Sequence, residues 1–310
     1  MDKQGRIIEL INLKDLKTKE LDSLIFGSIE IRDKDNKKYI YTHIKDNGVS
    51  FTKYIGEYSD DLYNLILNNN IKSKEIKKEI RKIDKELNEL GYIDEELSKE
   101  VCINIDFARK HLADTIYKQA ILEGVATTLS DTENIIEGGK VNNMSPDDIM
   151  KIVNLKHAWD FVLSKNVILS PSDFSTLCII NKYIEEGFYY NAGELRTTPV
   201  NIGGTSWKPE LPIETDIKND LKDILNSSKN DLDIAIRLLL YVTRKQMFID
   251  GNKRTAVIFA NHYLISKGLG LIVIPVEIID DYKNLLISYY ETNKDKEIFD
   301  FIKNKCYLAI

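Results

Sequence analysis

QMFIDGNKRT, Gln246 to Thr255, joins two stretches that are apolar on nearly every side: NDLDIAIRLLLYVTRKQ before it and KRTAVIFANHYLISKG after it. Helices apolar all round are central, buried ones, so the spacing predicts two core helices joined by a tight turn at Asp250-Gly251-Asn252. Gly251 takes backbone angles closed to other residues, and Asn252 tolerates them better than most. The second helix starts at the turn, so its free N–H groups and positive dipole end face into it, which makes an anion site out of backbone. Lys253 and Arg254 add positive charge at the rim. Asp250 adds a carboxylate, which among phosphates is a magnesium ligand. On these residues alone, a phosphate cradle and a plain helix-capping turn fit equally well.

The wider pattern resembles the Fic/Doc (Fido) family, whose signature is H-x-F-x-[DE]-G-N-[GK]-R. Eight of its nine positions are compatible with QMFIDGNKR. Upstream, NAGELRTTPVNIGGTSWKPELP is similar to the family's segment before the motif, with Gly193, Arg196, a β-hairpin flap around Val200 and Ile202, and a proline-rich exit. The resemblance spans roughly residues 100–310. It implies a helical domain that moves AMP from ATP to a hydroxyl of a target protein, or phosphate in Doc-type members. By the same resemblance Phe248 anchors the loop and Asp250 binds magnesium. Gly251 and Asn252 hold the α-phosphate region, and Arg254 meets the outer phosphates. Lys253 stands where many members have Gly, as in the Doc-like variant. The flap offers backbone hydrogen bonds to a bound target segment.

The family's first motif residue is a His that takes the proton of the attacking hydroxyl, and here Gln246 occupies it. An amide has no titratable group near neutral pH and is no general base. His43, His111, His157 and His262 all lie outside the loop. Three outcomes stay open: a slow enzyme resting on positioning and magnesium, proton transfer to Asp250 or water, or a non-catalytic nucleotide-binding regulator. Gln246 still offers a hydrogen bond.

Many Fic proteins carry an inhibitory helix with [ST]-x-x-x-E-[GN], whose Glu occupies the motif's last Arg. In SDTENIIEGGKV, Glu137-Gly138 matches the end of that pattern, while the position four before Glu137 is Glu133. The expectation is an inhibitory helix near residues 125–139 with Glu137 paired to Arg254. The alternative is an ordinary helix end.

Outward from this core the chain reads as helical from about residue 98 to its end. ARKHLADTIYKQAILEGVATTLS is expected to be one helix. SPDDIMKIVNLKHAWDFVLSK is another, with Ser145 as N-cap and Pro146 at its first position, and SPSDFSTLCIINKYIEEG a third that stops at Gly187. Residues 1–97 form a separate N-terminal module. Within it, Ser28–Gly56 reads as three short antiparallel strands with turns at DKDN and DNG. A helix follows with Ile76, Ile80, Ile83, Leu87 and Leu90 on one stripe, ended by Gly91. That stripe is either a seam for a homodimer or a face packed inside its own chain.

The 310 residues carry a formal charge of -6, which argues against a general nucleic-acid binder. Three separated cysteines, Cys102, Cys178 and Cys306, give neither a disulfide framework nor a zinc site. No apolar signal core or membrane-length run is seen, so the expectation is a cytoplasmic protein. Its expected ligand is ATP or another nucleotide with magnesium, and its expected partner an unidentified target protein.

Overall fold

The computed structural model describes residues 3–34, 37–46, 49–92 and 97–310. It divides into two compact units, Met1–Ile93 and Asp94–Ile310. The expected boundary at 97/98 falls beside residues 93–96, which lie outside the described residues.

The first unit begins with helix α1 (Lys3–Ser23), which the sequence reading left unassigned. Strands β1 (Ser28–Lys34), β2 (Lys37–Asp46) and β3 (Val49–Glu57) form an antiparallel meander in that order. Ile31 stands opposite Ile40, and Tyr41 opposite Tyr54 past an irregularity at Ile40/Tyr41. The expected turns at 33–36 and 46–48 fall partly outside the described residues. Helix α2 (Asp60–Glu89) starts at Ser59, whose hydroxyl accepts from the Leu62 amide. Its buried Ile76, Ile83 and Leu87 meet the buried Ile7, Ile8, Leu10 and Ile11 of α1. The ion pairs Arg6–Glu86, Lys17–Glu79 and Lys72–Glu20 fix an antiparallel register between the two helices. The apolar stripe is therefore packed inside its own chain.

The second unit is helical. In order it holds α3 (Lys99–Lys110), α4 (Leu112–Leu122), α5 (Leu129–Ile136), α6 (Pro146–Val162), the short α7 (Lys165–Ile168) and α8 (Phe174–Ile184). Then come α9 (Glu214–Leu225), α10 (Asp231–Lys245), α11 (Asn252–Ser266), α12 (Ile279–Thr292) and α13 (Lys296–Lys305). A two-residue strand β4 (Leu271–Ile272) pairs with β5 (Tyr307–Leu308). Among the described residues no helix is long and apolar enough to cross a membrane.

Caps account for several of these boundaries. Ser145 accepts from the Asp148 amide at the start of α6, with Pro146 at the first helical position. Asn230 does the same for Asp233 at the start of α10. Helix α8 begins later than expected, capped by Asp173 rather than at Ser170-Pro171. The helix expected over ARKHLADTIYKQAILEGVATTLS is three. It breaks at His111 and again after Leu122, where Gly124 has φ 81° and the Val125 amide reaches back to Ala120 O. That left-handed Gly is a helix stop inside an otherwise helical pattern.

α11 is buried along almost its whole length and packs against α10 and α8. His262 sits at its centre, fully buried, with Nδ1 2.8 Å from Ser172 Oγ and Nε2 2.8 Å from Val167 O. Burial pushes its pKa down to about 4. A depressed His contributes stability that is present above its unfolded pKa and lost as pH falls toward the folded value. Between pH 7.5 and pH 5 the parent should lose about 2 kcal/mol relative to His262→Gln. Urea denaturation of both proteins at the two pH values reads this directly, and parallel pH dependences would remove the assignment.

Candidate nucleotide site

The turn between α10 and α11 is held from three sides. At its start Gln246 takes left-handed angles, φ 48° and ψ 58°, which end α10. Phe248 is buried, and the Asn252 side chain clasps its backbone twice: Oδ1 accepts from Phe248 N at 3.0 Å and Nδ2 donates to Phe248 O at 2.9 Å. Asn252 therefore shapes the loop with its side chain and has only its amide to offer a ligand. Gly251 sits at φ 75°, and a Cβ there would collide with Glu185 Oε1. Any side chain there is strained by the left-handed backbone and has to push the Glu185 carboxylate aside.

Behind the loop, Asn181 of α8 donates from Nδ2 to Asp250 O (3.0 Å) and Thr255 Oγ1 (3.1 Å), and its Oδ1 accepts from Gly193 N. On the flap side, Arg196 is 2 % exposed and spreads its guanidinium over backbone carbonyls. Nε donates to Gln246 O (2.6 Å), Nη1 to Thr198 O (2.9 Å), and Nη2 to Pro209 O (3.3 Å) and Glu210 O (2.5 Å).

This arrangement corrects the expected β-hairpin at the flap. Residues 195–213 turn at Gly203-Gly204 but contain no strand. Three carbonyls of this segment accept from Arg196 rather than from a facing strand, and Pro199, Pro209 and Pro212 have no N–H to give. Val200 and Ile202 nonetheless line a cavity of 340 Å³ together with Gln246, Asp250, Lys253 and Glu123. Tyr282 and Tyr290 of α12 close its far wall.

The first helical bond of α11 runs from Thr255 N to Gly251 O, so the amides of Asn252, Lys253 and Arg254 lie ahead of it. The Gly251 amide is already taken by Asp250 Oδ1 at 2.6 Å. Arg254 is 4 % exposed, and neither Nε nor Nη1 has a hydrogen-bond partner among the described residues. Its Nη2 lies 2.8 Å from Glu185 Oε1 and 3.5 Å from Asp250 Oδ1, and its Nε lies 3.8 Å from Glu123 Oε2. The contact with Glu185 is close in charge but off the N–H axis, since Glu185 Oε1 is itself without a hydrogen bond. Burial raises the Glu185 carboxyl to about 7, against the pull of Arg254 and with the repulsion of Asp250 and Glu123 adding to it. Lys253 Nζ lies 3.5 Å from Glu123 Oε1.

Glu137 takes no part. It is the exposed C-cap residue of α5, and Arg254 finds its carboxylates elsewhere. The expected Glu137–Arg254 pair is overturned because α5 ends at the surface while the end of α4 points into the cavity. Glu123-Gly124, at that end, carries the same Glu-Gly ending, with Gln119 four positions before it. Gln119 is itself tied into the site: Nε2 donates to Arg254 O at 3.0 Å, and Oε1 accepts from Trp159 Nε1. The signal for Glu123 was the Gly124 stop. Glu185, Asn181 and Tyr290 carried no local signal.

Gln246 lines the cavity, but its side chain folds back, Nε2 donating to Thr243 O at 2.7 Å. Asp250 stands at the cavity with its side chain 56 % exposed. Among the described residues no group of three His, Cys, Asp or Glu side chains forms a metal site. A magnesium ion here would be shared between Asp250 and the phosphates of a ligand, which suits that ion's preference for few protein ligands.

Residues 171–264 match the model of the Fic/DOC family. That span runs from Pro171, ahead of α8, through the flap and the loop to Leu264 of α11. Two solved structures share the fold. One is a Fic domain containing signaling protein from Bacteroides thetaiotaomicron, at 20 % identity and TM-score 0.54, with 67 % of this chain and 85 % of that one covered. The other is Fic-1 (residues 134–508) from C. elegans, at 18 % identity and TM-score 0.53, covering 79 % of this chain and 77 % of that one. No curated protein matches the chain.

Proposed function

We propose that this chain, which carries a Fic/DOC-family segment over residues 171–264, binds a purine nucleotide with magnesium in the cavity at Gln246–Arg254. From there it transfers AMP, or phosphate, to a hydroxyl of a target protein. The observation that carries the nucleotide reading is Arg254: a buried guanidinium with two donor nitrogens unmet, in the first turn of α11, directly after Asn252 and Lys253, which line the cavity. An unmet buried charge is costly unless a partner arrives, and an anion supplies it. The amides of Asn252 to Arg254 and the dipole of α11 add to that preference. Lys253 brings a second cation to the phosphates, and Asp250 would hold magnesium, which supplies charge neutralisation on the phosphates when bound. Val200 and Ile202 lie where a target segment would run beside the cavity.

Gln246 leaves the transfer without a histidine base, so the reaction rests on positioning and charge and is slow. Its fold-back onto Thr243 O favours a second reading, a nucleotide-binding regulator that performs no transfer. ATP labelled separately at the α- and γ-phosphates, incubated with the purified chain and the cognate lysate, separates the two. Label on protein from α means AMP transfer and from γ alone means phosphate transfer. Nucleotide binding by calorimetry without label on protein means the regulator.

Glu123 is the gate in this reading. It reaches both Lys253 and Arg254, the two cations the phosphates need. At 3.5 and 3.8 Å these are ion pairs rather than hydrogen bonds, and removing this carboxylate's charge from the phosphate site should tighten ATP binding by about tenfold in Glu123→Gln. Arg254→Met should erase part of that gain and Lys253→Met another part, because Glu123 faces both cations. Titration calorimetry with ATP and magnesium is the check. An affinity indifferent to Glu123→Gln would show that the carboxylate does not stand in the phosphate position.

A further inference from the structure

The charges of α2 are sorted by face. Ile76, Ile83 and Leu87 are buried on the side that meets α1. On the opposite side, Lys74, Lys78, Arg81 and Lys85 follow one another at spacings of four, three and four, and all four are exposed. That spacing sets them on one stripe about 16 Å long. Lys82 is exposed beside it, and on the other flank Lys77 lies over the Phe26 ring at 4.7 Å. The acids toward α1 are taken by its cations: Glu79 pairs with Lys17, Asp84 with Lys14 and Glu86 with Arg6. Of the stripe, Lys85 is the one member with an ion pair among the described residues, 3.8 Å from Glu89. The other acid of this stretch is Glu75. Lys74, Lys78, Arg81, Lys82 and Lys85 thus stand with two carboxylates, a local excess of positive charge.

Like charges three and four positions apart on a helix repel and lower its stability, as opposite charges there raise it. Helix α2 directs its acids to α1 and keeps like charges on its open face. An anionic partner turns that repulsion into attraction. We infer that this open face binds the phosphodiester backbone of a duplex nucleic acid. A straight row of cations on a rigid helix suits a partner whose negative charge is dense and regular, one per about 1.7 Å of duplex axis. The four stripe residues include no amide or aromatic side chain to read base edges, so the binding is independent of sequence. The chain as a whole carries -6 and is repelled by such a partner, so attachment is local to this face. Net charge, which argues against a general nucleic-acid binder, averages the stripe away. The surface belongs to the N-terminal unit and is independent of the nucleotide site.

The test is fluorescence anisotropy of the full chain with a labelled DNA duplex of arbitrary sequence. With three to four phosphates neutralised, binding should be micromolar at about 50 mM salt and weaken about a hundredfold by about 200 mM. Lys78→Ala with Arg81→Ala should weaken it by about tenfold or more at the lower salt and roughly halve the salt slope. Alanine is the strongest helix former, so α2 stays helical, which circular dichroism checks. If that variant fails to fold, Lys74→Ala with Lys85→Ala gives the same comparison. Lys296→Ala with Lys305→Ala makes the same change in net charge on exposed residues of α13, and should leave affinity within about twofold. An RNA duplex of the same length shows which duplex is preferred, and stripe-dependent binding of either supports the assignment. Absence of binding to both at about 50 mM salt overturns it. So does binding that the α2 substitutions leave unchanged, or that the α13 pair weakens equally. Stripe-dependent binding to vesicles of anionic phospholipid, with neither duplex bound, would make the face a membrane contact and overturn it as well.

Discussion

Arg196→Met is expected to destabilise the helical unit by about 4 kcal/mol or more, the largest stability effect of any single change near the site. The guanidinium is buried and donates to four carbonyls, those of Gln246, Thr198, Pro209 and Glu210. Its own amide donates to Met247 O. Hydrogen bonds from a charged donor are typically worth about 1.5–3 kcal/mol each, and carbonyls stranded without a donor cost their full desolvation. Methionine keeps the apolar stem, so the loss isolates the head group. Lysine is not expected to rescue, because an ammonium is a compact point charge and cannot span carbonyls on both sides of the flap. Urea denaturation of parent, Arg196→Met and Arg196→Lys gives the comparison. A loss below about 1.5 kcal/mol for methionine would mean that the flap and the loop are held by something else.

That expectation also explains which parts of the fold were legible. The loop itself was: Gly251 and Asn252 announce a turn between two all-apolar helices, and both helices stand where the periodicity places them. Caps at Ser145 and Asn230 act through side chains within three residues, so the local sequence contains them. The flap was expected to be a hairpin from the family resemblance of NAGELRTTPVNIGGTSWKPELP, around Val200 and Ile202. The competing partner for those carbonyls, Arg196, leaves no trace in a local pattern.

The carboxylate expected beside Arg254 was misplaced by a related error. Reading residues 108–130 as one helix hid the stop at Gly124, and with it the exposure of Glu123 to the cavity. Glu137-Gly138 ends α5 at the surface, while Glu123-Gly124 ends α4 beside the loop. Glu185 is the hardest case. In IEEG it looks like any helix end, and only the packing of α8 against the loop makes its charge matter. Long-range contacts between charged groups are absent from periodicity, and the site depends on three of them.

Gln246→His is expected to raise transfer to a hydroxyl by about a hundredfold to ten-thousandfold, if the remaining machinery is intact. The backbone is ready for it: position 246 has φ 48°, a left-handed conformation in which His, like Asn and Asp, is enriched. The present side chain donates to Thr243 O from Nε2 at 2.7 Å. A neutral imidazole at this cavity-lining position carries one ring nitrogen with a lone pair, the acceptor that the amide of Gln246 does not supply. The proton of an attacking hydroxyl then has an acceptor with a pKa near the working pH. Only neutral imidazole accepts it, so the gain should grow as pH rises through about 6.5 and level off above it. Nucleotide affinity should change little, since Gln246 donates to its own helix rather than to the cradle. Single-turnover transfer from labelled nucleotide at pH 5.5 and pH 8, alongside calorimetry, separates the two effects. Unchanged transfer with intact binding would mean that the histidine is not what the site lacks, and would favour the regulator over the slow enzyme.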